Sequence, residues 1–167
     1  MRLIIKFLAV FILCILSSGT GAQHNLTNIK ADFLFKFPHY ITWPEETGLR
    51  RGGWFSLCVW GKHSFGKRLN AIAAEQTLYQ YTVRYILPET TTSDCHIIFI
   101  ASENTGMPKT DNTPLLISDR AGFLESGGMI EIYEDRDRIK LKANMDAIKN
   151  ANLQVKSKLL EIMKVKK

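Results

Sequence analysis

The feature that most limits how this chain can fold is the stretch Trp54 to Leu69, WFSLCVWGKHSFGKRL. Trp54 to Trp60 is apolar except for Ser56. A seven-residue run rich in Val, Phe and Trp reads as a strand covered on both faces. Gly61 ends the run, and Ser64 is placed to cap a helix, because its hydroxyl can accept from a free first-turn N–H. Phe65, Leu69, Ile72 and Ala73 follow at spacings of three and four, one face of a helix. Strand, turn and returning helix are the first half of a βαβ unit, so further strands are expected to lie parallel to this one.

Ahead of it stands a segment of different character. Arg2 and Lys6 flank a start that leads into the apolar run Phe7 to Leu16, then the small and polar residues Ser17 to Ala22. The pattern is that of a secretory signal peptide cleaved after Ala22. Ten apolar residues are too few to span a bilayer, which takes about 20; the alternative is an uncleaved anchor. Residues 23–167 then form a single domain of ordinary hydrophobic content. Removing Arg2 and Lys6 lowers the formal charge of +6, and the excess that remains gathers at the tail, in Lys156, Lys158, Lys164, Lys166 and Lys167. These make a solvated face, or steer the protein toward an anionic membrane surface or an acidic partner. Export argues against nucleic acid as a partner. Cys14 leaves with the signal, so Cys58 and Cys95 remain as an even pair in an oxidising compartment.

Leu26, Ile29, Phe33, Phe37 and Tyr40 recur at helical spacing, so His24 to Ile41 is expected to be an amphipathic helix that Pro38 kinks or ends near Phe37. Phe35 lies about 200° around the helix from Phe33. It is thereby left for solvent or a partner, together with Tyr40 and Trp43 beyond it. Tyr79 to Leu87 alternates and reads as an edge strand, and CHIIFIA from Cys95 as another buried one. Ser102 to Thr113 shows no helical face and reads as a loop. Leu115 to Ile117 is a short strand, followed by a turn that Ser118-Asp119 can cap. Met129 to Tyr133 and Ile139 to Leu141 make a hairpin around Glu134-Asp135-Arg136-Asp137. Asn144 caps a short helix, and Ser157 a last one carrying Leu159, Leu160, Ile162, Met163 and Val165. The sum is an α/β sandwich: a mixed, mostly parallel sheet flanked by helices, with a C-terminal hairpin and helix. The strands near Cys58 and Cys95 should be parallel neighbours. Their Cβ atoms then come within bonding reach, and closing that loop stabilises by roughly 4 kcal/mol in the chain-entropy account. Two free buried thiols are the alternative.

Chemistry is sparser. Gly61 to Lys67 has the glycine-to-lysine spacing of a phosphate loop, but Arg68 stands where a Ser or Thr would hold magnesium, and Phe65 puts a ring where backbone should wrap phosphate. A bound anion at Gly66, Lys67 and Arg68 remains a reading, since free N–H groups open that helix. His24, His39, His63 and His96 are scattered, no His or Cys pair has metal-ligand spacing, and the acidic hairpin tip lacks the glycine of a calcium loop. No serine sits in a G-x-S-x-G turn. Neither catalysis, a metal nor a cofactor is expected.

The order of features also resembles a known family. A secretion signal precedes a helix ending in Tyr40-x-x-Trp43-Pro44; FSLCVWG leads to SFG and then CHIIFI; LLISD, Gly122-Phe123 and GGMI precede a charged hairpin; NMDAIKNANLQVKSKLL closes the set. Over nearly all of the mature chain this is similar to the YfiR family of periplasmic proteins. The resemblance implies a periplasmic regulator, not an enzyme, that represses a YfiN-type inner-membrane diguanylate cyclase by binding its periplasmic sensor domain, and so restrains cyclic di-GMP signalling and biofilm formation. It also implies homodimers and a redox-sensitive disulfide arrangement, in which Cys58 and Cys95 match the first cysteine pair; a second pair found in some members has no counterpart. The competing reading is a periplasmic module that binds a small molecule or anion, at the Gly61 to Lys67 turn or beside Ser118-Asp119.

Overall fold

A computed structural model of the chain describes residues 20–47, 49, 53–86, 94–101, 106–110 and 113–166, with side chains from residue 26 onward except Glu46. Residues 1–19 of the expected signal peptide (1–22), and the stretches 87–93 and 102–105, lie outside the described residues.

Helix α1 (Thr20–Tyr40) leads into strand β1 (Ile41–Thr42) and a 3-10 turn at Glu45–Thr47. Then come β2 (Trp54–Trp60), α2 (Arg68–Glu75), β3 (Gln80–Ile86), β4 (Ile97–Ile100) and β5 (Leu115–Ser118). The hairpin β6 (Ile130–Asp135) and β7 (Arg138–Ala143) follows, then α3 (Met145–Asn150), β8 (Gln154–Val155), α4 (Ser157–Leu160) and β9 (Met163–Val165). Seven strands form one sheet in the order β3-β2-β4-β5-β6-β7-β9. β6 and β7 are antiparallel and every other neighbouring pair is parallel. β2 and β4 are parallel neighbours, with Cys58 beside Ile98, and β3 is an edge strand. β1 and β8 pair as a separate antiparallel ribbon. No helix among the described residues is long and apolar enough to cross a membrane.

Strand side chains alternate, so each strand serves two cores. Phe55, Leu57 and Val59 of β2, Ile97 and Phe99 of β4, and Ile130 and Ile132 of β6 point into a large core with α1, α2 and α3. Cys58, Trp60, Ile98 and Ile100 point into a smaller one, closed by Cys95 and Phe123.

Several local expectations shift. α1 begins at Thr20, inside the segment expected to be removed, and runs through Pro38 to Tyr40, so Pro38 sits in its last turn. The deepest residues of α1 are Ala31, Leu34, Phe35, Phe37 and Pro38, so of the expected stripe Phe37 is core while Phe33 is only partly covered. Ser64 does not cap α2: Gly66 takes a positive φ of 53°, and the helix starts after Lys67, which makes no side-chain cap. Strand β4 starts at Ile97 rather than Cys95. Ser157 does not cap the last helix, and that helix is one turn; Met163–Val165 pairs with β7 as a strand instead. Asn144 does cap α3, its Oδ1 accepting from the Ala147 N–H at 3.1 Å. The hairpin turns on Arg136 and Asp137, both at positive φ (49° and 60°), the geometry whose twist matches two antiparallel strands.

Candidate functional site

The aromatic residues singled out in the sequence gather around Phe55, which is fully buried. Trp43 meets it edge-on with ring centroids 5.4 Å apart, Tyr79 and Tyr81 lie at 5.4 and 5.2 Å, and His96 stacks at 4.8 Å. Phe35 packs on Tyr81 at 5.1 Å and is 2% exposed. It is therefore core and not a surface ring: the side of α1 opposite Phe33 is covered by the sheet and α2. Tyr40 is half-buried, and its carbonyl accepts from the Lys156 N–H. Trp43 is 9% exposed, and its indole N–H has no acceptor among the described residues. It lines a groove of about 420 Å³ together with His39, Thr42, Tyr79 and Lys156. One of the tail lysines is tied here, Lys156 Nζ donating to the His39 carbonyl at 2.9 Å.

Cys58 and Cys95 are joined by a disulfide, with Cα atoms 5.9 Å apart and both residues fully buried. Next to it His96 Nδ1 accepts from the Ser56 N–H at 3.0 Å. Burial holds the His96 pKa below the usual histidine value, against a smaller opposing pull from Asp94. His96 is thus a neutral acceptor inside a ring stack.

At the carboxyl ends of β2, β4 and β5, a cavity of about 200 Å³ opens. Lys62, His63, Ser64 and Phe65 reach it from the turn after β2, Phe99 and Ala101 from β4 and its end, and Asp119 from the loop after β5. The two places named separately in the sequence, the Gly61 turn and Ser118-Asp119, are walls of one cavity. Lys30 enters from α1 and lies 3.1 Å from both Asp119 Oδ2 and Glu134 Oε1. Burial works against its charge, but the two carboxylates outweigh it and hold its pKa above the usual lysine value. The second Asp119 oxygen, Oδ1, is buried with no hydrogen-bond partner among the described residues. Phe65 and Phe99 meet edge-on at 5.0 Å, and His63 stacks on Tyr85 at 4.7 Å; burial lowers the His63 pKa. Ser118 holds this loop, its Oγ donating to the Ile100 carbonyl at 2.6 Å and accepting from the Arg120 N–H.

Gly66, Lys67 and Arg68, expected to hold an anion, do not line the cavity. All three are exposed, and the Arg68 guanidinium pairs with Asp32 of α1 at 2.8 Å. Sequence reasoning missed Lys30, one of three charged residues in this part of α1 with Asp32 and Lys36. Its position beside the apolar stripe was the available signal; its partners are 89 residues or more away in the chain.

A family model described as YfiR/HmsC-like matches residues 27–164. A search of curated proteins finds no match to the chain.

Proposed function

The chain belongs to the YfiR/HmsC-like family, and on that premise we propose that it is a non-enzymatic regulator of diguanylate cyclase signalling. It acts in the periplasm, as a homodimer, by binding the periplasmic sensor domain of a YfiN-type inner-membrane cyclase. The observation that carries this reading is the extent of the match, which runs from within α1 to within β9 and so takes in both cores and the disulfide. The packing of the histidines is consistent with it: Nδ1 of His96 accepts from the Ser56 N–H and Nδ1 of His63 from the Phe65 N–H.

For the contact itself we favour the groove lined by Trp43, with Tyr40 near it in sequence but not in its lining. An indole donor without an acceptor among the described residues, beside an ammonium, suits the carbonyls or carboxylates of a partner segment. Phe35 is withdrawn from that role by its burial. Affinity capture from bacterial membranes with the disulfide-bonded chain should recover a membrane protein carrying a cyclase domain. Trp43→Phe keeps the edge contact with Phe55 and removes only the N–H, so it should weaken capture by about three- to tenfold. Recovery of no sensor or cyclase protein counts against the regulatory reading, and an unchanged Trp43→Phe variant counts against the groove alone.

A further inference from the structure

We propose that the cavity at the carboxyl ends of β2, β4 and β5 binds a small organic ammonium compound, its charged nitrogen against Asp119 and its apolar body on Phe65 and Phe99. This inference concerns a different part of the molecule from the proposed partner groove and does not depend on the family reading.

The topology places a crevice there. From β2 the chain crosses by α2 to β3 on one side, and the next strand, β4, lies on the other side of β2. Where the strand order reverses in this way, the loops leaving the two central strands diverge and open a pocket at their carboxyl ends. The lining has the character of a small-molecule site, with an apolar floor and a few convergent polar groups. Phe65 and Phe99 supply the floor, and the His63 ring stands over the turn.

The polar groups set the kind of ligand. A carboxylate only accepts hydrogen bonds. Asp119 uses Oδ2 on Lys30, while Oδ1 is buried and has no donor among the described residues. What is missing at this point is a donor. Lys30 stands between Asp119 and Glu134, and Glu134 is exposed and outside the cavity lining, so the buried carboxylate facing the cavity is that of Asp119. Lys62 also lines the cavity but is exposed, where water and salt screen it. A donor that is also a cation makes the stronger, charge-assisted bond to that oxygen, and the aromatic faces nearby favour a cation further. Because Lys30 belongs to α1, a ligand ammonium at Asp119 shares the carboxylate that ties this helix to the sheet, so occupancy is coupled to how firmly α1 is held.

The test is calorimetric titration of the disulfide-bonded chain with three probes of one shape: benzylamine, benzyl alcohol and benzoate. Saturable binding of benzylamine is expected, weaker by about tenfold for the alcohol, which lacks the charge, and none for benzoate. Asp119→Asn should remove the preference for the amine. Should that variant loosen α1 and fail to fold, Ser64→Trp fills the mouth from an exposed position and should abolish benzylamine binding without changing Tm. Benzoate binding as well as benzylamine, benzylamine binding that ignores the Ser64→Trp block, or no saturable binding of any probe overturns the proposal.

Discussion

The two faces of the seven-stranded sheet are closed by different means. On one face, α1, α2 and α3 bring Leu34, Phe35, Leu69, Ile72 and Ile148 onto the strands, and apolar burial does the work. On the other face the cover comes from turns and loops. Phe123 and Met107 supply the apolar cover, and any side chain at Gly106 would already touch Trp60 at 3.4 Å. What that face lacks in apolar cover it makes up with specific bonds. The Cys58–Cys95 disulfide crosses it. Buried Glu131 accepts from Lys142 Nζ at 2.9 Å and from the Phe123 N–H at 3.1 Å, which fastens the turn to the sheet. The lesson is that one strand can be stabilised by bulk packing on its odd residues and by a few discrete bonds on its even ones, and the two should fail differently.

The largest effect should come from the helix face. Phe55→Ala empties the centre of a five-ring cluster and should cost about 3–5 kcal/mol in urea unfolding; a loss below about 1 kcal/mol would show that the cluster collapses readily and that bulk packing is not what holds this face. Replacing Cys58 and Cys95 together by Ala should come next. The chain-entropy account gives about 4 kcal/mol at most for a separation of 37 residues. Hydrogen exchange should quicken first around residues 95–100 and 120–128 while α1 stays protected. Faster exchange in α1 instead would break the distinction between the faces. Gly128→Ala is the third: its new Cβ lands 2.3 Å from the Phe123 ring, so the ring must move, at about 1–3 kcal/mol. That cost should shrink in the cysteine-free background, because Phe123 then has room to shift; strict additivity would argue that the ring and the bridge are independent.

The smallest effect is one of pH. His96 accepts a hydrogen bond in the neutral form, and burial, partly offset by Asp94, keeps its folded pKa below the unfolded value of 6.5. The folded state therefore binds fewer protons than the unfolded one below that pH. The stabilisation is complete above the unfolded pKa and is lost as pH falls through 6.5 toward the folded pKa. His63, lowered by burial, contributes in the same direction. Tm should decline from pH 7 to 5, and His96→Gln should flatten part of the slope; an unchanged slope would assign it elsewhere.

Much of the fold was legible because it is written in local periods. The alternation in Tyr79 to Leu87 marked the edge strand, the unbroken run at Trp54 the buried one, and Asn144 a real cap. Where the reading slipped, a distant partner had overruled a local preference. Met163 and Val165 fit a helical face, yet β7 offers a free edge and takes them as a strand. Phe35 fell off the stripe with the most rings, yet its burial is decided by Tyr81 on the sheet's edge strand. The candidate cavity was legible only in halves. The Gly61 turn and Asp119 each stood out, but nothing local says that two loops more than fifty residues apart share a wall, or that Lys30 stands between Asp119 and Glu134.

Taken by itself, the amino-acid sequence determined the longer strands and helices, which of their residues alternate between two faces, and the family to which the chain belongs. The tertiary structure alone decided the rest of the strand order, beyond the neighbours of β2, and the cavity that opens where that order reverses. It also decided which charges meet there. Periodicity acts between neighbours three or four residues apart, whereas a cavity wall or an ion pair is set by where the sheet carries remote segments, and that depends on the packing of the whole.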